Sequence, residues 1–571
     1  DGDDDSIINP GESFDLHPMI TNIGVNPATD VSASISCLNA GVNILEDEME
    51  YGYLGVDESA YPTGSGFQFE LSDDILMGDP GCTLFVSAVN VSGQTDSFEF
   101  PLSLFVSLYQ ENWPMIGDFP VQSSPAVVHY QQEEPYSEIF FGDNNGSFYG
   151  LADDGSILDN WPYETGDDIW GSTAIADIDL DGELEIVIGS KNKHLYIFNT
   201  SGDMLLNLNI NKYLMATPAI GNLDDDDDLE IVIGTYGSQT SSNQIIAINP
   251  DGSAVDGFPV TIGEKIQRGA ALADFNGNGK MDIVVGTDSE NIYLVYDDGS
   301  IATGFPYTDA DGDFRQAPSI IKMNDDELII LAGSKDDNFY GINSDGTTRF
   351  IIETDGNIST SCGFIDDPEH GLIILFGSDD GYLYAVSPDG AAITGWPINL
   401  GSPVSSTPSV ADLNNDGIPE IITGTSAGEI HIFDLYGNIY PNFPFNYQRP
   451  IYGAPAIVDT DGDGDLEVLI GALDGVISLD IKDTGSIDDD WNLFRGGLTR
   501  TGYFESSPMD LQPGDVNDAQ IVDVLDVVII VNFVMGISIP DQHQFEASDL
   551  NDDDIIDILD IVILVSIIMG S

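Results

Sequence analysis

Residues 177–189, DIDLDGELEIVIG, set the side-chain oxygens of Asp177, Asp179, Asp181 and Glu185 on a Gly-containing turn that runs straight into an apolar strand. Oxygens at alternate positions of a turn converge on one point, and a hard dication such as Ca²⁺ takes six to eight of them at about 2.3–2.6 Å. The seventh position, Glu183, adds a main-chain carbonyl. The pattern recurs at Asn222, Asp224, Asp226 and Glu230 (carbonyl of Asp228) and at Asp274, Asn276, Asn278 and Asp282 (carbonyl of Lys280). It returns at Asp412, Asn414, Asp416 and Glu420 (carbonyl of Ile418) and at Asp459, Asp461, Asp463 and Glu467 (carbonyl of Asp465). Segments 138–142, 328–333 and 372–377 keep the strand without the loop, so no metal is expected there. Eight glycines close these strands, Gly142, Gly189, Gly234, Gly286, Gly333, Gly377, Gly424 and Gly471, at intervals of 44 to 52 residues. A period in the forties with several short strands per unit is the pattern of a β-propeller.

Each unit reads as four strands, exemplified by 217–221, 230–233, 244–249 and an outer strand after the Pro250–Gly252 turn that ends at Gly257-Phe258-Pro259. Aromatic-Pro pairs recur at Trp161-Pro162, Phe305-Pro306, Trp396-Pro397 and Phe443-Pro444, with Phe119-Pro120 ahead of the first unit. Residues 112–121 are therefore expected to complete the eighth unit as its outer strand, sealing an eight-bladed propeller from both chain ends. The repeat resembles the FG-GAP/VCBS family over about residues 112–503, and the resemblance implies Ca²⁺ loops between the first two strands of a blade. Integrin-type members have seven blades, so it does not imply a partner. The tail 491–503, WNLFRGGLTRTGY, is similar to the segment that ends many quinoprotein-like eight-bladed propellers, although no cofactor constellation accompanies it.

The chain begins at Asp1, which implies a removed leader or a longer parent protein, and no apolar run reaches the roughly 18–20 residues of a membrane span. Against 99 Asp and Glu stand 14 Lys and Arg, a formal charge of −85. Such a surface repels nucleic acid and anionic lipid, and it suits high ionic strength, where screening shortens to about 3 Å at 1 M.

Residues 1–106 carry no propeller repeat. Alternating segments at 13–21, 31–37, 67–71 and 83–89 read as an antiparallel β-sandwich. At its start, Asp1, Asp3, Asp5, Asn9 and Glu12 fall at EF-hand ligand positions, with the Ile7 carbonyl between them and Ser6 in place of the usual Gly. Two readings stand: a Ca²⁺ loop, or a solvated acidic terminus. The opening DGD…NPGE pattern resembles Ig-like modules found beside catalytic domains in secreted bacterial proteins. Cys37 and Cys82 read either as a disulfide or as two small buried hydrophobes, and Cys362 as core.

After a linker at 506–514, residues 515–571 repeat internally with an offset of 34, which maps Asp515 to Asp549, Asn517 to Asn551, Ile521 to Ile555, Asp523 to Asp557 and Asp526 to Asp560. This resembles the dockerin type I module, whose halves are each a 12-residue Ca²⁺ loop followed by a helix. The resemblance implies ligands at Asp549, Asn551, Asp553, Asp557 and Asp560 with the Ile555 carbonyl. It also implies a weaker first loop, Asp515, Asn517, Asp523 and Asp526 with the Ile521 carbonyl, because Ala519 and Gln520 depart from the pattern. The segments 526–535 and 560–569 are apolar nearly all round and rich in β-branched residues, which favours strands, but a loop ending in a carboxylate feeds a helix. Their outward faces then need a partner: a cohesin-like protein, or another copy of the chain.

These readings amount to a mainly β protein: an Ig-like sandwich (1–106), an eight-bladed propeller (107–505) and a small helical docking module (515–571). The function they imply is a secreted, Ca²⁺-stabilised, non-catalytic binding or scaffold protein. The alternatives are a subunit of a self-assembling extracellular filament, and a lyase-like polysaccharide-degrading enzyme or an ancillary part of one. The six histidines form no motif with one another. At the propeller mouth, Trp170, Arg268, Arg315 and Tyr452 fall near inner-strand starts, where they read as contacts to a glycan or peptide or as a structural plug.

Overall fold

The computed structural model describes residues 7–72, 75–110, 112–130, 136–238, 242–323, 327–368, 370–487 and 491–505, and in the C-terminal region 514, 516, 522, 524–535, 540, 542–548, 550–551 and 555–568. Two compact units are present; the larger holds the N-terminal module and the repeats, the smaller the region from Glu505 onward with Lys322–Glu327 and Asp366–Leu372.

In the N-terminal module one sheet orders Ser13–Leu16, Phe67–Leu71 and Val42–Glu46, and another orders Glu48–Leu54, Ala28–Cys37, Cys82–Val89 and Thr95–Leu102. The alternation of their sequences is realised as burial: Val31, Ala33 and Ile35 from one sheet and Phe67 and Phe69 from the other meet in a single core. Cys37 and Cys82 face each other in register on paired strands and are joined by a disulfide, which decides between the two readings of that pair.

The repeats form eight consecutive antiparallel sheets among the described residues. The third is representative: Ala219–Gly221, Glu230–Gly234, Gln244–Ile248 and Val260–Thr261 lie side by side in chain order. The second strand of each is apolar on both faces because it lies between neighbouring sheets. Thus Ile231 and Ile233 pack toward the second sheet and Val232 toward the fourth. The fourth strand corrects the expectation from sequence. It follows Phe258-Pro259 instead of ending there, since Val260 pairs with Ile245, and residues 253–259 form the turn that brings it back.

The last sheet receives its outer strand from the other end of the repeat region: Met115–Ile116 pairs with Val476 and Gly475 of Gly475–Thr484. The aromatic-Pro pair that leads into this strand is Trp113-Pro114. Phe119-Pro120 lies beyond it, so its assignment as the repeated pair is corrected.

The closing glycines are required by space. A Cβ on any of the eight would lie under 3.0 Å from a side chain at the entry to the next inner strand: Ile169, Leu214, Ile266, Phe314, Ile358, Val404 and Ile451 in turn, and Val121 for Gly471. The eighth glycine is thus filled from the chain segment that precedes the first sheet. In the same sense, the innermost strand of the first sheet, Ala126–Tyr130, lies against that of the last, Ala456–Val458.

The tail 491–503 runs along the inner strands. Carbonyls of Trp491, Asn492, Leu498, Thr499, Thr501 and Gly502 accept the N–H groups of Val410, Ile457, Ile175, Ile220, Leu272 and Ile320, one from each of six sheets. Arg495 and Arg500 are wholly buried in this tail and donate only to carbonyls. Arg500 reaches Thr173 O (2.9 Å), Phe494 O (2.7 Å) and Pro125 O (3.2 Å), and Arg495 reaches Arg500 O (2.9 Å), Pro318 O (3.0 Å) and Ala270 O. Burial without a counter-ion pushes both guanidinium groups down to about 9.

In the smaller unit the two apolar segments are helices, Val524–Val534 and Ile558–Ile568, with Gln542–Ser548 between them. Val516, Ile530, Ala547 and Leu564 make their core. No helix among the described residues is long and apolar enough to cross a membrane.

Candidate functional site

Five acidic loops join the first two strands of the second, third, fourth, seventh and eighth sheets. In each, the ninth-position carboxylate, the first residue of the second strand in four of the sheets and the third in the eighth, turns back to accept the N–H of the second position. The pairs are Ile178 to Glu185 (2.9 Å), Leu223 to Glu230 (2.5 Å), Phe275 to Asp282 (2.8 Å), Leu413 to Glu420 (2.8 Å) and Thr460 to Glu467 (2.5 Å). One oxygen is thereby spent on the loop. The other, Oε1 of Glu230 and of Glu467, is buried with no hydrogen-bond partner. Asp177, Asp179 and Glu185 offer oxygens within 4.8 Å of one another, as do Asp224, Asp226 and Glu230, and Asp459, Asp461 and Glu467.

Burial first, and the charge of neighbouring aspartates after it, raise the proton affinity of these acids. Glu185 and Glu230 are pushed up to about 7, Asp282 to about 6 and Glu420 to about 8, and Glu467 lies well above its ordinary range. Buried, mutually repelling carboxylates with an orphaned oxygen fit a hard cation.

The loops are not identical. Asp177 accepts the N–H groups of Asp181 and Gly182, and Asp412 those of Asp416 and Gly417, with both glycines in the left-handed region. In the third sheet the first position is an amide, Asn222, which donates to Asp226 O (3.0 Å), and the sixth is Asp227. In the fourth, both oxygens of Asp282 are engaged, Oδ1 by the N–H of Asp297 (2.9 Å), and Asp297 also accepts from Asn276 and Asn278. The Lys280 side chain leaves its own loop to pair with Asp225 (2.8 Å).

Toward the chain ends the same logic reappears. Asp526 Oδ1 accepts the N–H of Val516 (2.9 Å) and Asp560 Oδ1 that of Leu550 (2.9 Å), equivalent bonds 34 residues apart, and Asp560 Oδ2 accepts from Asp557 (2.8 Å). Asn551 and Ile555 are among the described residues; Asp515, Asn517, Ile521, Asp523, Asp549 and Asp553, like Asp1, Asp3 and Asp5, lie outside them. Following Ile7, Asn9 is wholly buried, donates its backbone N–H to Glu12 Oε2 (2.8 Å) and its side-chain amide to Ser107 O (3.1 Å), leaving Oδ1 without a partner.

A cavity of about 280 Å³ opens between the inner strands, with Phe494 of the tail in its wall. Of the four residues expected at the mouth, it brings together Arg268 and Tyr452. The other two stand outside the lining, a correction: Trp170 donates to Asp168 (3.1 Å) under the Lys191 ammonium, and Arg315 pairs with Asp313 (2.8 Å) and Asp288 (3.3 Å). These local carboxylates engage both side chains. Arg495 and Arg500 were not foreseen as structural cations; the two arginines of RGGLTR, in a chain with so few, were the available signal.

A family model described as FG-GAP repeat matches residues 268–303. This segment spans three strands of the fourth sheet, which is thus an FG-GAP repeat, and the match supports a β-propeller. No curated protein matches the sequence. Among solved structures, BamB from Moraxella catarrhalis is similar at 17% identity, covering 63% of this chain and 99% of its own, with a TM-score of 0.43. Saccharomyces cerevisiae Sqt1 is similar at 11% identity, 65% and 98% coverage and a TM-score of 0.44. The V. cholerae biofilm matrix protein Bap1 is similar at 12% identity, 66% and 91% coverage and a TM-score of 0.39.

Proposed function

We propose that this chain is a secreted, non-catalytic binding or scaffold protein. Its eight-bladed propeller is stabilised by Ca²⁺ in the five acidic loops, an Ig-like sandwich precedes it, and a dockerin-type module docks it to a cohesin-like partner. The observation that carries the calcium reading is the buried ninth-position carboxylate, repeated in five sheets, with an unpartnered oxygen at Glu230 and at Glu467. A cation supplies the missing partner and offsets the repulsion among the aspartates. The eight-blade count is supported by Val121 filling the space at Gly471 and by Met115–Ile116 on the last sheet. The docking reading is supported by exposed apolar residues on the two helices, among them Leu525, Val528, Leu559 and Val562, which a partner would cover. The axial cavity serves as the propeller's ligand mouth.

The test is metal content and capture together. Purified protein dialysed against Ca²⁺ and analysed by mass spectrometry for bound metal is expected to hold at least five ions, one per loop. A cohesin-type domain immobilised on beads is expected to retain it in Ca²⁺ and release it in chelator. Fewer than one bound ion per chain overturns the calcium reading, and chelator-independent retention or none overturns the docking reading.

A further inference from the structure

Arg268 differs from those cations of this chain that find a protein partner for their charge or their donors. Lys191, Lys280, Arg349, Arg449 and Lys482 each reach a carboxylate, and Arg495 and Arg500 each donate to several carbonyls. Arg268 lines the axial cavity and has neither an ion pair nor a hydrogen bond among the described residues. A half-buried guanidinium without a counter-charge leaves its donors unspent toward the cavity. Its surroundings lower its proton affinity through burial alone.

Around it stands a belt of hydroxyls with their protons unspent. Ser124 Oγ accepts the N–H of Ala454 (2.8 Å), Ser172 Oγ that of Ser124 (2.8 Å), Thr217 Oγ1 that of Ser172 (2.9 Å) and Thr407 Oγ1 that of Ser361 (3.1 Å). A hydroxyl that accepts from the backbone keeps one O–H to donate, and none of these four spends it on an acceptor among the described residues. All four line the cavity.

One carboxylate faces the same space. Asp379, two sheets round from Arg268, accepts from Ser359 Oγ (2.7 Å) and Asn357 Nδ2 (3.1 Å) and has lone pairs left over. A small inorganic anion would meet Arg268 favourably and Asp379 unfavourably. A neutral sugar would satisfy Asp379 and leave Arg268 unpaired. We propose that the axial cavity binds a sugar acid, a hexuronate whose carboxylate pairs with Arg268 and the donor hydroxyls while its own hydroxyls donate to Asp379. Tyr452 and Phe494 also line the cavity and add aromatic carbon to its wall, against which the C–H groups of a sugar can rest. At about 280 Å³ the cavity is at the lower edge of the roughly 300–1,000 Å³ of small-molecule sites, so it takes one sugar unit, the end of a glycan or a free monosaccharide.

This inference rests on the reading of the cavity as the ligand mouth. Calorimetric titration of the full chain in Ca²⁺ with sodium glucuronate and sodium galacturonate is expected to give saturable binding at one per chain. Glucuronamide, the uncharged isostere, and glucose are expected to bind about tenfold or more weakly, a loss of about 1.4 kcal/mol. Arg268→Gln is expected to lose the same factor, with Arg268→Lys between, because an ammonium keeps the charge without the fork. Absence of saturable hexuronate binding overturns the proposal, as does equal affinity for glucuronamide, for sulfate, or in Arg268→Gln. If Arg268→Gln does not fold, as judged by near-ultraviolet circular dichroism, the comparison of acid with amide on the unsubstituted protein decides alone. Neutral-glycan binding at a mouth that ignores hexuronates refutes the sugar acid and spares the ligand mouth; metal content and docking are measured separately.

Discussion

At the residue scale, each closing glycine is read by the sheet that follows it. Gly234→Ala would drive its Cβ into Ile266, and overpacking of a close-packed core costs about 1–3 kcal/mol. Urea unfolding is expected to show that loss in Gly234→Ala and no full recovery when Ile266→Val is added, because the nearest atoms, Cγ2 and Cβ of Ile266, remain in valine. The ninth-position acids carry a pH signature in the metal-free protein. Glu230 and Glu420 bind a proton in the folded state at pH values where the unfolded chain, at its ordinary 4.5, has released it. Between about pH 5 and 8 the native state therefore holds more protons, and stability falls as pH rises. Unfolding midpoints in EDTA should decline across that range and flatten in Ca²⁺, where the ion takes the proton's place. Glu230→Gln should lessen the decline in EDTA; a midpoint that instead rises with pH in EDTA contradicts the account.

At the element scale the tail 491–503 is the piece on which most of the sheets converge, since six of them donate an inner-strand N–H to it. Its arginines act as buried cross-links, because a guanidinium carries five donors in a fixed fork and a chain of inward carbonyls supplies acceptors from different sheets. Arg500→Met strips the partners from Thr173, Pro125 and Phe494 together. The expected loss is about 3 kcal/mol or more, with Arg500→Lys intermediate, since one ammonium cannot reach all three. Thermal melts of the three proteins in Ca²⁺ check the order. Equal melting temperatures would mean that the tail lies in the channel without holding it.

On the scale of the whole molecule, the ions proposed for the loops would act against the chain's own charge. With 99 acidic and 14 basic residues, self-repulsion opposes the compact state, and each ion bound only to the folded form adds about 2.7 kcal/mol at a hundredfold excess over its dissociation constant. Chelation is expected to lower the melting temperature by far more than Asp179→Ala or Asp461→Ala alone, since each of those touches one loop. Raising NaCl from low salt to about 2 M should recover part of the loss, because screening shortens as salt rises. Superimposed melts with and without chelator would remove the loops from the stability of the fold.

Much of this was legible in the sequence because it is local. A turn of alternating oxygens, a strand apolar on both faces and a glycine at its end all lie within one repeat, and the period of those glycines implied repeated small sheets. The second strands, the loops and the paired helices of the C-terminal region appear where these patterns put them. The helices formed against the preference of their β-branched residues, with Asp526 and Asp560 in their first turns accepting the N–H groups of Val516 and Leu550. What only the tertiary structure decided joins residues far apart in the chain. Trp113-Pro114, not Phe119-Pro120, introduces the strand on the last sheet, because pairing with Gly475 and Val476 fixes the register there and no local pattern records it. Arg268 and Tyr452 reach the axial cavity while Trp170 and Arg315 are drawn aside, because nearby carboxylates compete for them. The burial of Arg495 and Arg500 needs carbonyls from sheets hundreds of residues away, and a sequence shows the charge of such a side chain without the acceptors that enclose it.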